Sequence, residues 1–291
     1  MNEKTGSLFT NALAQTAGNT DSPFGVVIGD SIALGYYDSR LQPLESRLQP
    51  TYDPSFISPP GTFAYELQVL TQFPWYNHAI GGQTTTELCQ RWCRDALAQD
   101  SDPDDGRGSK TLTRKPTHIV LDTGTSELRA AKHESVPVIK KNIFRMVKSA
   151  TENDIRVVII NIAPIKTANI SDILEVNSWM VNNLLQFGDT VRIYDAYTKL
   201  SVMGVKDFQM DRNNRFHTNI RNFLAGALYP YARSLGLVEE SETTPILDKK
   251  YNWGDGCHWT AVAVKDIAGD LVQQNKDLFL SESHSILTTI K

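Results

Sequence analysis

No apolar run in the 291 residues approaches the roughly 20 needed to cross a bilayer, so no membrane-spanning helix is expected. The opening stretch, MNEKTGSLFTNALAQTAGNTDS, is polar and lacks the apolar centre of a signal peptide. The expected compartment is therefore the cytoplasm by default. A secreted mature form whose leader has been removed, or export by a tail-attached or phage-type route, is the alternative. Charge of one sign is also scarce: the net charge is −4, with no basic stripe to hold nucleic acid. Cysteines number only three, an odd count that argues against a disulfide framework. Cys89 and Cys93 would share a helix face and read as two buried thiols rather than half a metal site. The six histidines are scattered and none falls in a His-x-His spacing. A metal-dependent hydrolase is thus the least favoured class, and no metal or cofactor is expected. Internal repeats and low-complexity tracts are missing as well.

What is present begins with Phe24–Tyr36, FGVVIGDSIALGY. An apolar run, Val26-Val27-Ile28, is cut by Gly29, and an acid and a hydroxyl follow at once, Asp30 and Ser31. The run reads as a short buried strand, and the change of period after Ser31 reads as a helix start. Such a turn leaves Ser31 at the carboxyl edge of a sheet, where backbone N–H groups can meet a developing anion. A plain helix N-cap is the other role Ser fills at such a place. Asp30 reads as a structural acid bonded to turn amides.

Further strands are expected at Trp75–Ile80, His118–Thr123, Ile155–Ala163 and Thr190–Tyr194, with helices at Gly61–Gln72, Thr84–Gln99, Val136–Asn153, Ser171–Phe187 and Thr260–Asn275. Thr84 and Glu87 have the spacing of a capping box. Regular alternation of this kind predicts an α/β fold with a parallel sheet and helices on both faces. Residues 1–22 read as an arm. Loop insertions are expected near 38–60, 100–115 and 199–254, within which His217–Leu235 looks helical and Glu239–Gly254 polar.

Asp255-Gly256-Cys257-His258 sets an acid and an imidazole three positions apart just before the last helix. Asp255 there can hold one ring nitrogen of His258 and leave the other for a hydroxyl. In a doubly wound sheet the first strand and the last loop can be neighbours on one edge.

These pieces resemble the SGNH (GDSL-type) serine esterases and lipases over residues 25 to about 272. Gly29-Asp30-Ser31 matches that family's first block, with Ser31 in the nucleophile's place. Gly82, in NHAIGGQTT, matches the glycine whose N–H lines the oxyanion hole. Asp255 and His258 match the last block. The resemblance implies a flavodoxin-like, three-layer α/β/α fold with a five-stranded parallel sheet, formed as one hydrolase domain over 23–291. The third block departs: where the family has Gly-x-Asn-Asp, this chain has Gly124-Thr125-Ser126-Glu127. Ser126 stands in the place of the Asn that completes the oxyanion hole, and its hydroxyl is a shorter, freely rotating donor. GTSEL also approximates a Gly-x-Ser-x-Gly nucleophile elbow, but Leu128 replaces the final Gly that a tight turn needs.

The expected function is a serine esterase working through Ser31, His258 and Asp255, with Ser31, Gly82 and Ser126 around the oxyanion. Tyr36, Trp253 and Trp259 are the expected substrate contacts, since flat aromatic faces pack on sugar rings and acyl chains alike. Polar loops tilt the substrate towards a short acyl group on a polar carrier, such as an O-acylated glycan. A longer-chain lipase or thioesterase, and a non-catalytic protein that binds a glycan or partner on the same fold, are the alternatives.

Overall fold

Gly25–Gly29 forms the first strand, β1, and every residue in it is buried. A strand covered on both faces needs apolar side chains in both directions, which is why it reads as a continuous Val-Val-Ile run rather than an alternating one. Val26 and Ile28 enter one core layer, and Val27 enters the other. The computed structural model describes residues 22–34, 58, 60–99, 112, 114–129, 134–205, 243–247 and 257–279. The expected arm at 1–22, save Ser22, the helical stretch at 217–235 and the polar loop at 239–254, save 243–247, lie outside the described residues, as do nearly all of 38–60 and 100–115.

In chain order the elements after β1 are α1 (Phe63–Thr71), β2 (Trp75–Asn77), α2 (Thr85–Leu97), β3 (His118–Asp122), α3 (Thr125–Leu128), α4 (Val136–Thr151) and β4 (Arg156–Ile160). Then come α5 (Ile170–Leu184), a 3₁₀ stretch, β5 (Val191–Tyr194), α6 (Ala196–Leu200), β6 (Ser201–Val205), β7 (Thr243–Leu247), α7 (Ala261–Gln274) and α8 (Lys276–Phe279). The main sheet has five strands in the order β2-β1-β3-β4-β5, all parallel. Helices α2, α4 and α5 cover the face bearing Ile119, Leu121, Val157 and Ile159. Helices α1 and α7 cover the face bearing Val120, Val158 and Ile160. This is the expected three-layer α/β/α arrangement.

The helix starts follow from side-chain caps. Thr62, Thr84, Asn169 and Thr260 each accept a backbone N–H of the first turn. At Thr84 the expected capping box with Glu87 is complete. The β2 expectation was too long, because the ladder to β1 covers only Trp75–Asn77. Within the insertion expected near 199–254 the structure describes an antiparallel ribbon of β6 and β7, entered from the short helix α6. That pairing joins segments some 40 residues apart in sequence, so no local period announces it. Among the described residues, no helix is long and apolar enough to cross a membrane.

The strand order fixes where a site can form. From β1 the chain moves outward to β2, then crosses back over β1 to β3 and continues to β5. The crevice of such a sheet lies between the carboxyl ends of β1 and β3, where the direction of winding changes. Asp30-Ser31 leaves β1 there, and Thr123 to Glu127 leaves β3.

Candidate active site

Gly29 and Asp122 are paired across β1 and β3. The approach is so close that a Cβ on Gly29 would stand 1.8 Å from the Asp122 carbonyl oxygen. Only glycine allows it, and the chain turns immediately afterwards. Asp30, fully buried, holds the turn. Its Oδ1 accepts the Ile32 N–H at 2.9 Å, and its Oδ2 accepts the Ser126 N–H at 3.2 Å and the Ser126 hydroxyl at 3.0 Å. Asp30 is thus the structural acid the sequence suggests, tying the turn that carries Ser31 to α3.

This turn presents Ser31 to His258. Ser31 Oγ and His258 Nε2 lie 2.8 Å apart, although 227 positions separate them in sequence. With the ring proton on Nδ1, the serine hydroxyl donates to Nε2, the arrangement a general base requires. His258 precedes α7, whose cap Thr260 fixes the entry of the chain. Asp255, Tyr36 and Trp253 lie outside the described residues. Trp259, expected to contact substrate, is corrected by its surroundings: it is 2% exposed and packs edge-on against Phe63 at 6.0 Å between ring centroids. Its bulk serves the layer between α1 and α7.

Gly82 follows β2 with φ +74°, and nothing stands within 4 Å of where its Cβ would be. Ser126 is 6% exposed, and its hydroxyl proton is directed at Asp30. Its neighbour Glu127 is also buried, and Glu127 Oε1 accepts the N–H of Thr85, the first residue of α2. The Ser-Glu pair therefore clips two structures together: Ser126 holds the turn that carries Ser31 and Glu127 holds the start of the helix after Gly82. Sequence reasoning missed the Glu127 contact. It missed Arg91 too, which is 5% exposed and pairs with Asp95 at 2.9 Å. The signal was there: Arg91 and Asp95 are charges four apart within the apolar stripe of Leu88, Trp92 and Ala96.

Three carboxyls share this buried floor. Burial raises Asp30, while the Ile32 N–H, the Ser126 hydroxyl and N–H, and the nearby His258 ring pull it back. Asp122 is raised well above the usual range, first by burial and then by the negative charge of Asp30. Its Oδ2 has no hydrogen-bond partner among the described residues. Asp30 has three donors facing its carboxyl, whereas none faces Asp122 Oδ2 among the described residues. Glu127 is pushed up to about 7, chiefly by burial, against the Thr85 contacts. A folded-state pKa raised above the unfolded one means the native protein holds a proton the unfolded chain releases. Stability from Glu127 is therefore full below about pH 4.5 and lost as pH rises through about 7. His78 and His118 act oppositely: burial lowers both to about 4, so they destabilise the native state as pH falls from 6.5. The Glu127 contribution is isolated by difference. Relative to wild type, Glu127→Gln should gain on the order of 3 kcal/mol between pH 4.5 and pH 8 in urea unfolding. A pH-independent difference would mean that Glu127 is ionised throughout.

The cysteines are less buried than expected: Cys89 and Cys93 are intermediate and only Cys257 is buried. Cys89 donates to the Asn142 carbonyl at 3.7 Å, and burial pushes its thiol up to about 11.

No protein-family model matches the sequence, and no curated protein does. Solved structures do match. A lipase/acylhydrolase from Enterococcus faecalis is 13% identical with a TM-score of 0.53, over 88% of this chain and 96% of that one. A GDSL-like lipase from Bacteroides thetaiotaomicron is 14% identical with a TM-score of 0.50, over 92% of this chain and 98% of that one. At such identities the likeness is one of fold: this chain's five parallel strands between two helix layers are the arrangement it has in common with that lipase/acylhydrolase and that GDSL-like lipase.

Proposed function

We propose that the protein is a serine esterase that hydrolyses short, acetyl-type esters, with an O-acylated carbohydrate as its substrate class. One observation carries the proposal: the 2.8 Å contact of Ser31 Oγ with His258 Nε2 at the carboxyl edge of β1. His258 takes the hydroxyl proton as Ser31 attacks the ester carbonyl. The imidazolium then protonates the leaving alcohol, and water releases the acyl group by the same route. Asp255, three residues before His258, is the acid proposed to orient the ring. The backbone N–H groups of Ser31 and Gly82 are proposed to meet the oxyanion. Ser126 is the third proposed donor, but its hydroxyl faces Asp30 and must rotate away to take part.

That same Ser126–Asp30 bond favours a second reading, a binding protein that does not turn its ligand over. A fluorophosphonate probe separates the two. The proposal expects one label per chain, at Ser31, and turnover of p-nitrophenyl esters that falls as the acyl chain lengthens from acetate to octanoate. An unlabelled chain would leave the binding reading. Labelling with turnover that rises towards octanoate would make the protein a lipase or thioesterase.

A further inference from the structure

The loop from β2 to α2 must hold Gly82 at a fixed place, and its first half is held by the sheet. The His78 N–H donates to the Val27 carbonyl at 2.8 Å and the Ile80 N–H to the Gly29 carbonyl at 3.1 Å. Beyond Ile80 these bonds to β1 stop, and the turn that carries Gly82 is closed by a long bond, Gln83 N–H to the Ile80 carbonyl at 3.4 Å.

Arg91, in the second turn of α2, reaches both ends of this loop with one guanidinium. Its Nη1 donates to the His78 carbonyl at 2.7 Å, and its Nε donates to Gln83 Oε1 at 2.7 Å. The group is anchored from behind by Asp95, which is fully buried and also pairs with Arg94 Nε at 2.6 Å. His78 adds a second tie, its Nδ1–H donating to the Asp95 carbonyl at 2.6 Å. A guanidinium is a planar fork with fixed spacing between its donors, so it sets the separation of the two acceptors it binds. Those acceptors flank Gly82. Stability alone is a poor reason for burying these charges, since apolar residues of similar volume generally serve a core as well or better.

We infer that Arg91 is a positioning residue that fixes the Gly82 N–H for the oxyanion, acting through His78 and Gln83 without touching substrate. The inference rests on the esterase reading above. Besides packing on the sheet, α2 then carries the brace for the loop that precedes it.

Removing Gln83 isolates the brace from the ion pair. Gln83→Ala takes away one prong and leaves Arg91–Asp95 intact, so the fold is kept. The expected result with p-nitrophenyl acetate is a fall in kcat of about tenfold per probe-titrated site, with KM within about twofold; complete loss of an oxyanion donor costs roughly 10²–10³. Gln83→Glu keeps an oxygen for Arg91 and should recover most of that loss, which a purely structural role would not require. Arg91→Lys keeps a charge for Asp95 but loses the fork, and should resemble Gln83→Ala. If the wild type turns over and is titrated by the probe, yet Gln83→Ala retains full kcat, the positioning role is overturned and the esterase reading stands. If the wild type neither reacts with the probe nor turns over, the esterase reading fails and takes this inference with it.

Discussion

Ser31→Ala will abolish hydrolysis of p-nitrophenyl acetate and labelling by a fluorophosphonate probe, with a loss in kcat of at least about 10⁴-fold. The size follows from the proposed chemistry: with Ser31 Oγ as the attacking atom, the proposed oxyanion donors alone would retain only residual catalysis. The effect on stability should be small, because the loss is one hydroxyl whose partner His258 is partly exposed. Ser126→Ala supplies the contrast. Ser126 is 6% exposed and its hydroxyl is one of three donors to the buried Asp30. Removing it should cost about 1–3 kcal/mol of stability, since a buried carboxylate loses a partner. Turnover should fall by less than the roughly 10²–10³ of a missing oxyanion donor. A loss of that full size at unchanged stability would show that the hydroxyl leaves Asp30 during the reaction. If Ser126→Ala kills turnover and Ser31→Ala does not, the nucleophile has been assigned to the wrong serine.

Gly29→Ala should be the most damaging single-methyl addition in the described part of the sheet. The new Cβ would lie 1.8 Å from the Asp122 carbonyl oxygen and 2.9 Å from the Cβ of Ala33, at φ +156°. Neither neighbour is the loose end of a long side chain. One is the backbone of β3 and the other belongs to the turn after Ser31, so β1 and β3 must separate at their carboxyl ends. Overpacking of that severity should cost at least about 3 kcal/mol. In a chain of this size the melting temperature should fall by roughly 6–12 °C, measured by circular dichroism. Activity should fall with it, because the same pairing sets the position of Asp30 and Ser31. Gly82→Ala is the matching control for stability. Its Cβ meets nothing within 4 Å, and only its φ of +74° is unfavourable, which costs about 1–2 kcal/mol. Equal melting temperatures for Gly29→Ala and wild type would mean that the two strands do not approach as closely as described.

The chain announces its layers because they follow from local periodicity. Val26-Val27-Ile28 and Val157-Val158-Ile159-Ile160 are apolar in both directions and so belong between two helix layers. Thr84 and Glu87 mark the start of α2 because a capping box is a contact three residues long. Gly29-Asp30-Ser31 could be singled out for the same reason: a strand, a glycine and a polar turn are all legible within seven residues. Asp255 and His258 were legible as a spacing, though the structure describes only the second of them.

Local pattern stops short of the partners that long-range folding supplies. Whether Ser31 would meet His258 depended on the strand order, which brings together positions 227 apart. The same holds for Ser126, which the family resemblance put in the place of an oxyanion donor and whose hydroxyl is bonded to Asp30, 96 positions away. Trp259 looked like a substrate contact by its place beside His258, but alternate residues leave a turn in opposite directions, and its ring went to the core. The β6–β7 ribbon and the Arg91 brace were hidden likewise, since each is defined by a partner and not by a period. The amino-acid sequence by itself determined the alternation of strand and helix and the residue types at the sheet edge, because these depend on neighbours along the chain. Which of those residues touch was decided by the tertiary structure alone, because contact across a sheet is set by strand order and packing, of which residues near in sequence carry no trace.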